Sequence, residues 1–444
     1  MHRTNIFIAS SSEMHHERLE LVDLFTDMCS DTMEYIPVKW EYMDSSVHKE
    51  HKQSEYMRRL QNCEICIVMF WRSLGEYTEK ELYLALNEQS LENNLQKTFI
   101  LFKEDRESVY AELSEFKIKC VQQHSEIVHS FSNSQELREL AKNLVLSANV
   151  KCNESKWEGK EMKVMIAADE ELNEEKLEFT ELMTHLNEVL ENRGIRLRRV
   201  KWTPQGADDF RKELHDCEMC LNLYWTKLPQ QADEEMKTAY DLSTNGSNPQ
   251  HLYIFFKEKS SGKISAALAD FKASFETVYG HFFCRFENVD TMNLHFILQF
   301  EAKQNILERN SVKVENGDIV IDANHFIDMD KLPFVALNKD YKIIKEELES
   351  LPEEIEMFRL MVKAHPDQQK YSDQLQKKLN HYNALKEELS LLQQTLFSTA
   401  KRIAEIQLEE VSSELQRAIN EFEAGHVEAA NAILDGIEKR RRPA

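Results

Sequence analysis

The chain has 444 residues, 42% of them hydrophobic, and 78 Asp and Glu against 55 Lys and Arg give it a formal net charge of −23. That length suits two or three ordinary domains, and the acidic balance argues against a nucleic-acid partner, because phosphate binding needs clustered Lys and Arg. Nothing approaches the roughly 18 consecutive apolar residues of a membrane span, the N-terminal apolar run is too short for a signal-peptide core, and eight cysteines over this length suggest a reducing cytoplasm rather than a disulfide framework.

Along the chain, Asn5–Ala9 is a short apolar run of the kind a buried parallel strand shows. Ser10–Ser12 supply N-cap chemistry, and Glu17–Cys29 carries Leu21, Leu24, Phe25 and Met28 at helical spacing. Ile36–Trp40 reads as a second strand, followed by a helix around Ser54–Leu60. Glu64–Trp71 is a third strand, Glu79–Asn87 a helix and Lys97–Lys103 a fourth strand. Such alternation implies a parallel sheet with helices on both faces. Ligands of these sheets sit beyond the carboxyl ends of the strands, where Ser10–Ser12, Trp40–Asp44 and Arg72–Glu81 fall.

The same text then recurs. Leu60-Gln-Asn-Cys63-Glu-Ile-Cys66-Ile-Val-Met-Phe70-Trp71 is matched by Leu214-His-Asp-Cys217-Glu-Met-Cys220-Leu-Asn-Leu-Tyr224-Trp225, an offset of 154 (214 − 60). At that offset Glu81 falls on Glu235, and Phe102-Lys103-Glu104 on Phe256-Lys257-Glu258. Upstream, Ile8-Ala9 matches Ile166-Ala167, Glu17-Arg18 matches Glu175-Lys176, and Lys39-Trp40 matches Lys201-Trp202. One α/β domain, residues 1–148, is therefore duplicated as residues 161–304, with Lys151–Lys160 as a polar linker.

Past the second copy, Val312–Ile321 with Asn316-Gly317 reads as a hairpin within a connector at 311–335. Residues 336–410 are helical text, with breaks expected at Pro352 and Pro366. A near-heptad seam runs through Leu375, Leu379, Tyr382, Leu385, Leu389, Leu392 and Leu396, the pattern of an antiparallel coiled hairpin or of self-association. Residues 411–440 have the spacing of one tetratricopeptide-like helix pair, at Leu415, Ala418, Phe422, Gly425, Ala430 and Leu434. One such pair cannot bury its own face, so it either begins a longer array or packs on the helices before it. The basic run Lys439–Arg442 reads as a solvated end.

Glu81 is the leading candidate for chemistry, as a carboxylate projecting over the sheet; the competing reading is favourable charge near a helix N-terminus. Ser10, Ser11 and Ser12 offer hydroxyls and backbone N–H groups to ribose or phosphate, or simply cap the helix. The second copy has Ala168-Asp169-Glu170 there, and two acids repel a dinucleotide phosphate. Trp40 and Trp202 are core or stack on a base. The Cys63/Cys66 and Cys217/Cys220 pairs are not read as zinc sites, because residues three apart on a strand point to opposite faces. His15-His16 and the His48/His51 pair lack companion ligands, and ten glycines leave no Gly-rich phosphate loop. No metal is expected.

Ile6-Phe-Ile-Ala-Ser-Ser-Ser-Glu13, Lys39-Trp40-Glu41, Cys63–Trp71 and Gly75-Glu-Tyr-Thr-Glu-Lys-Glu81 together resemble bacterial TIR (Toll/interleukin receptor) domains. The tail, with its hairpin, coiled segment and tetratricopeptide-like end, is similar to that of antiphage proteins built on such domains. The resemblance implies two tandem flavodoxin-like domains plus an all-α C-terminal region. It also implies cleavage of NAD, the substrate, at the nicotinamide–ribose bond. Glu81 would be the catalytic carboxylate and Glu235 its counterpart in a partly degenerate copy, with Ser10, Ser11, Ser12, Trp40 and Tyr77 lining the NAD site. Homo-oligomerisation through domain–domain contacts would switch the activity on, and the helical tail would receive a protein partner or trigger. The alternatives are a non-catalytic scaffold of the same family, or a nucleoside deoxyribosyltransferase-like enzyme with a nucleophilic carboxylate.

Overall fold

The computed structural model describes residues 2–30, 32–38, 58–74, 76–91, 94–104, 110–148, 150, 153–154, 159–201, 207–229, 232–258, 264–275, 283–304, 312–315, 317–321, 325–407 and 412–441. The chain divides into two compact units, Met1–Asn222 with Glu234–Leu252 and Leu223–Asp233 with Tyr253–Ala444. Strands β1 (His2–Ser10), β2 (Met33–Val38), β3 (Ile65–Phe70), β4 (Lys97–Lys103) and β5 (Val128–Phe131) lie parallel in the order β2-β1-β3-β4-β5. A two-residue strand, β6 (Asn153–Glu154), runs antiparallel to the start of β1.

These strands are apolar throughout because helices cover both of their faces. Ile6, Ile8, Ile65, Ile67, Met69 and Leu101 face a core shared with α1 (His15–Met28). Phe7, Ala9, Cys66, Val68 and Phe70 face another, closed by α2 (Glu76–Ser90) and α3 (Ala111–His124). The C-terminal helix of the copy, α4 (Ser134–Ser147), returns to the α1 side through Leu137, Ala141 and Val145.

A second five-stranded sheet has the corresponding order, β11-β10-β9-β7-β8, from β7 (Lys160–Ala168), β8 (Ile195–Lys201), β9 (Met219–Tyr224), β10 (His251–Lys257) and β11 (Cys284–Phe286). Its helices are α5 (Asn173–Leu190), α6 (Ala207–His215), α7 (Ala232–Thr244), α8 (Ala266–Ser274) and α9 (Val289–Gln304).

The repeated text has a structural cause. Glu64 Oε2 accepts from the Asn5 N–H at 2.6 Å, and Glu218 Oε2 accepts from the Lys163 N–H at 2.7 Å. Each carboxylate thus ties the third strand's approach to the first strand. The Cys63 and Cys217 thiols donate to the carbonyls of Arg59 and Glu213, both at 3.3 Å. Phe70 stacks on Phe102 and meets Phe116 edge-on, as Tyr224 does with Phe256 and Phe271. Glu104–Lys117 and Glu258–Lys272 pair at 2.6 and 2.5 Å.

The cysteines of the first pair do not diverge across a strand, contrary to expectation. Cys63 lies before β3 rather than on it, and it shares one core with Cys66 instead of pointing to the opposite face. Burial pushes both thiols up, and Cys217 to about 12, so they sit in the core as neutral groups.

Ser10–Ser12 lead into a 3₁₀ turn, Ser12–Met14, rather than directly into α1, whose N-cap, Met14, makes no side-chain cap. In the second copy Asp169 does cap, accepting from the Glu170 N–H at 2.8 Å.

Within the first unit, α1 packs on α5. Asp23 and Asp27 are bridged by Arg199 from β8 and by Arg138 from α4. The Arg199 and Arg138 charges hold the Asp23 carboxyl below its usual range despite burial. His15 bonds Glu178 at 2.6 Å, and that bond raises its pKa above 6.5, helped by Glu181 and opposed by burial and Arg18. The protonated imidazolium therefore stabilises the fold fully below about pH 6.5, and the contribution is lost as pH rises through the raised value. His15→Gln is expected to melt below the parent at pH 6 and to converge on it by pH 9, read from thermal unfolding against pH.

In the second unit, β12 (Val312–Glu315) and β13 (Asp318–Ile321) form the expected hairpin, with Gly317 at φ 96°. Asn316 lies outside the described residues. A third strand, β14 (His325–Asp328), pairs antiparallel with β13, which the hairpin reading did not include. A short helix, α10 (Pro333–Ala336), precedes α11 (Lys339–Ala364) and α12 (Gln369–Gln407). Tyr341 meets Gln393, Glu347 meets His381 and Glu354 meets Lys378, so α11 and α12 run antiparallel.

Pro352 does not break α11, contrary to expectation. It sits on the exposed side, where the missing N–H costs one helical bond, while Leu351 and Ile355 pack with Leu385 and hold the helix on both sides of it. Helices α13 (Ser413–Glu423) and α14 (Val427–Arg441) form a helix pair over the segment where one was expected and pack on α12. Arg402 reaches Asn431, Asp435 and Glu438, and Phe334 meets Phe422 with ring centroids 4.4 Å apart. No described helix is long and apolar enough to cross a membrane.

Candidate functional site

In a sheet ordered 2-1-3-4-5 the strand order reverses between β1 and β3, and the crevice outside their carboxyl ends is where ligands bind. Ser10 ends β1 there, but it is only 2% exposed. Its hydroxyl oxygen accepts from Arg18 Nη1 at 2.6 Å, and the same guanidinium nitrogen donates to the Ser11 carbonyl at 2.6 Å.

Ser11 Oγ donates to Glu13 Oε1 at 3.2 Å. That oxygen also receives the Arg72 and Ser73 N–H groups and the Ser73 hydroxyl, at 3.2, 3.3 and 3.2 Å. Glu13 therefore ties the end of β1 to the turn after β3. Beside it, Lys103 at the end of β4 lies 3.9 Å from the Trp71 ring and 2.6 Å from Glu17 Oε1. The edge gathers three cations, Arg18, Arg72 and Lys103, among hydroxyls and acids; Arg18 is itself 2% exposed and held by Ser10 and Ser11, and Lys103 is paired with Glu17.

Glu81 occupies the second turn of α2, on the face of the sheet opposite α1, rather than the first turn. It is 5% exposed, and the Cys66 thiol, raised chiefly by burial, is raised further by its charge. Glu235 on α7 is 8% exposed and acts likewise on Cys220. Tyr77 is in the first turn of α2 and Ser12 in the 3₁₀ turn. Trp40 and Trp202 lie outside the described residues.

The structure therefore brings Ser10 and Ser11 together with Glu13, Arg72 and Ser73. Glu81 lies on α2, whose Leu82 and Ala85 enter the core that holds Cys66, and its charge acts on the Cys66 thiol. Of the two described cavities, one of about 110 Å³ is lined by Arg3, Glu34, Glu191 and Arg196. The other, of about 90 Å³, is lined by Cys284, Phe286, Phe334 and Phe422. Neither is lined by Glu81 or Glu235.

Residue-by-residue reading missed Arg18, Trp71, Lys103 and Asn222. The Trp–Lys contact was visible as a repeat, since Lys257 lies 4.3 Å from the Trp225 ring. Asn222 was visible as a difference: it is buried where the first copy has Val68, and its Nδ2 donates to Cys220 Sγ at 3.4 Å.

No family model matches the chain, and no curated protein matches it. Among solved structures it is similar to a S. aureus MnaA–UDP co-structure, at 11% identity and a TM-score of 0.20, over 69% of this chain and 98% of that one. A likeness that loose carries no argument about fold or ligand.

Proposed function

We propose that this chain is a cytoplasmic, TIR-like effector of bacterial immunity that cleaves NAD in its first domain once copies of it assemble. The observation that carries the reading is a buried carboxylate at the same place in both copies, Glu81 and Glu235, on the helix after the third strand. Cleavage breaks the bond between ribose C1′ and the nicotinamide nitrogen. The bonding pair leaves with nicotinamide, and positive charge builds on the sugar. A carboxylate in a low-dielectric setting stabilises that charge far more than water does. Water, or a nitrogen of the same nucleotide, then takes C1′. Arg72 and Lys103 would draw the pyrophosphate to the β1/β3 edge, whereas Asp169 and Glu170 disfavour it in the second copy. The second domain serves as scaffold, and the helical tail takes the triggering partner.

One observation favours a second reading, assembly without chemistry. Glu81 and Ser10 are 5% and 2% exposed, and the Ser10 hydroxyl is taken by Arg18. The separating experiment follows NAD loss by the purified chain over a concentration series, with products identified by mass spectrometry. Cleavage that climbs steeply with concentration supports the effector. An intact NAD pool in samples shown by sedimentation to have assembled supports the scaffold.

A further inference from the structure

The contact between the copies joins equivalent elements. Ile8 matches Ile166 at an offset of 158 (166 − 8), and Lys39 matches Lys201 at 162 (201 − 39). The extra four residues are one turn of helix, since α5 has 18 residues and α1 has 14. Helix α1 thus corresponds to α5, and β2 to β8, each the outermost strand of its sheet. Equivalent faces packed on one another are the arrangement of an isologous dimer, here inside one chain.

The charges on the two faces are opposite. Glu34 and Arg196 are the same position (196 − 34 = 162), and they pair across the contact at 2.6 Å. Around them a ring closes: Arg196 to Glu191 at 2.8 Å, Glu191 to Arg3 at 3.0 Å, and Arg3 to Glu34 at 3.7 Å. Glu191 corresponds to Cys29 and Arg199 to Pro37 at the same offset. A first-copy face set against another first-copy face would therefore put Glu34 on Glu34 and leave Asp23 and Asp27 facing Pro37. Two second-copy faces would set Arg196 on Arg196. Like charges in a half-buried contact cost far more than at an exposed rim.

We infer that the α1/β2 face of the first copy is a charge-keyed docking surface whose partner is the second copy's α5/β8 face, and that it excludes another copy of itself. Arg199, Asp23 and Asp27 set the key together with the ring. The duplication has enclosed a dimer and then made its halves unlike, a specificity device by repulsion as much as by attraction.

The test uses the full chain carrying Arg199→Glu, Asp27→Arg, or both. Arg199→Glu sets a carboxylate against Asp23 and Asp27 and is expected to lower the melting temperature by roughly 5–10 °C. Adding Asp27→Arg returns the cluster of Glu20, Asp23, Asp27, Arg138 and Arg199 to its starting net charge, and is expected to recover at least about half of that loss. If Arg199→Glu does not accumulate, restored soluble yield in the double variant is the same result. A double variant no better than Arg199→Glu, or Arg199→Glu melting with the parent, overturns the key. Exclusion is read separately by sedimentation and cross-linking. An opened Arg199→Glu chain is expected to form no contact between the α1/β2 faces of two chains, and new dimers that cross-link through those two faces would overturn that half of the inference.

Discussion

Glu81→Gln is expected to melt with the parent and to lose NAD cleavage by at least about 100-fold, the scale of removing one preorganised electrostatic group from a reacting centre. The amide keeps the volume of a side chain that is 5% exposed, so a fall in rate with an unchanged melting curve separates chemistry from folding. Glu235→Gln is expected to leave cleavage near the parent's, because its copy carries Asp169 and Glu170 where the substrate's phosphates would lie. Mass-spectrometric product analysis of the three chains at matched concentration decides it. Full cleavage by Glu81→Gln would remove this carboxylate from the mechanism and leave the proposed site without its central group.

The second large effect concerns Gly425. At φ 82° it joins α13 to α14, and a Cβ there would lie 2.6 Å from the Leu337 carbonyl carbon, 2.7 Å from its oxygen and 2.8 Å from the Asn338 nitrogen. These are backbone atoms and cannot swing aside. Asn338 also donates from Nδ2 to the Gly425 carbonyl at 3.0 Å while its Oδ1 caps α11 through the Tyr341 N–H. Gly425→Ala therefore combines a left-handed penalty of roughly 1–2 kcal/mol with overpacking of roughly 1–3 kcal/mol. A melting temperature lower by roughly 5–10 °C is expected. Gly436 is the control: it lies within α14, where an added methyl would meet no atom of the described residues within 4 Å, so Gly436→Ala is expected to stabilise by about 0.5–1 kcal/mol. Equal effects at the two glycines would contradict this account.

The fold class was legible because both sheets are covered on two sides, so their strands print as unbroken apolar runs such as Ile65–Phe70 and Met219–Tyr224. The order of those strands followed from alternation with helices. What escaped was whatever depends on partners distant in sequence. Arg199 meets Asp23 from 176 residues away, and nothing local marks either residue. Cys63 was misplaced because Glu64, which looks like strand text, breaks the run to bond Asn5. Pro352 misled because propensity speaks of the isolated helix, whereas Leu351 and Ile355 hold this one by packing. At the candidate site, the serines were found as a motif. Their engagement with Arg18 and Glu13 was not, since hydroxyl chemistry in a sequence does not say which partner is already bound.

The carboxylate tie from Glu64 to Asn5, and from Glu218 to Lys163, has a consequence for how this chain can vary. It fixes the distance between two strands whose intervening text is otherwise free to change. The copies differ by a whole helical turn between α5 and α1, yet keep step residue for residue from Leu60 to Trp71 and from Leu214 to Trp225. Length thus varies between the first strand and the tie, and is held constant from the tie through the third strand. Engineered tags, reporter insertions or natural indels should accumulate ahead of Leu60 and Leu214 and be purged from the twelve-residue stretches that start there.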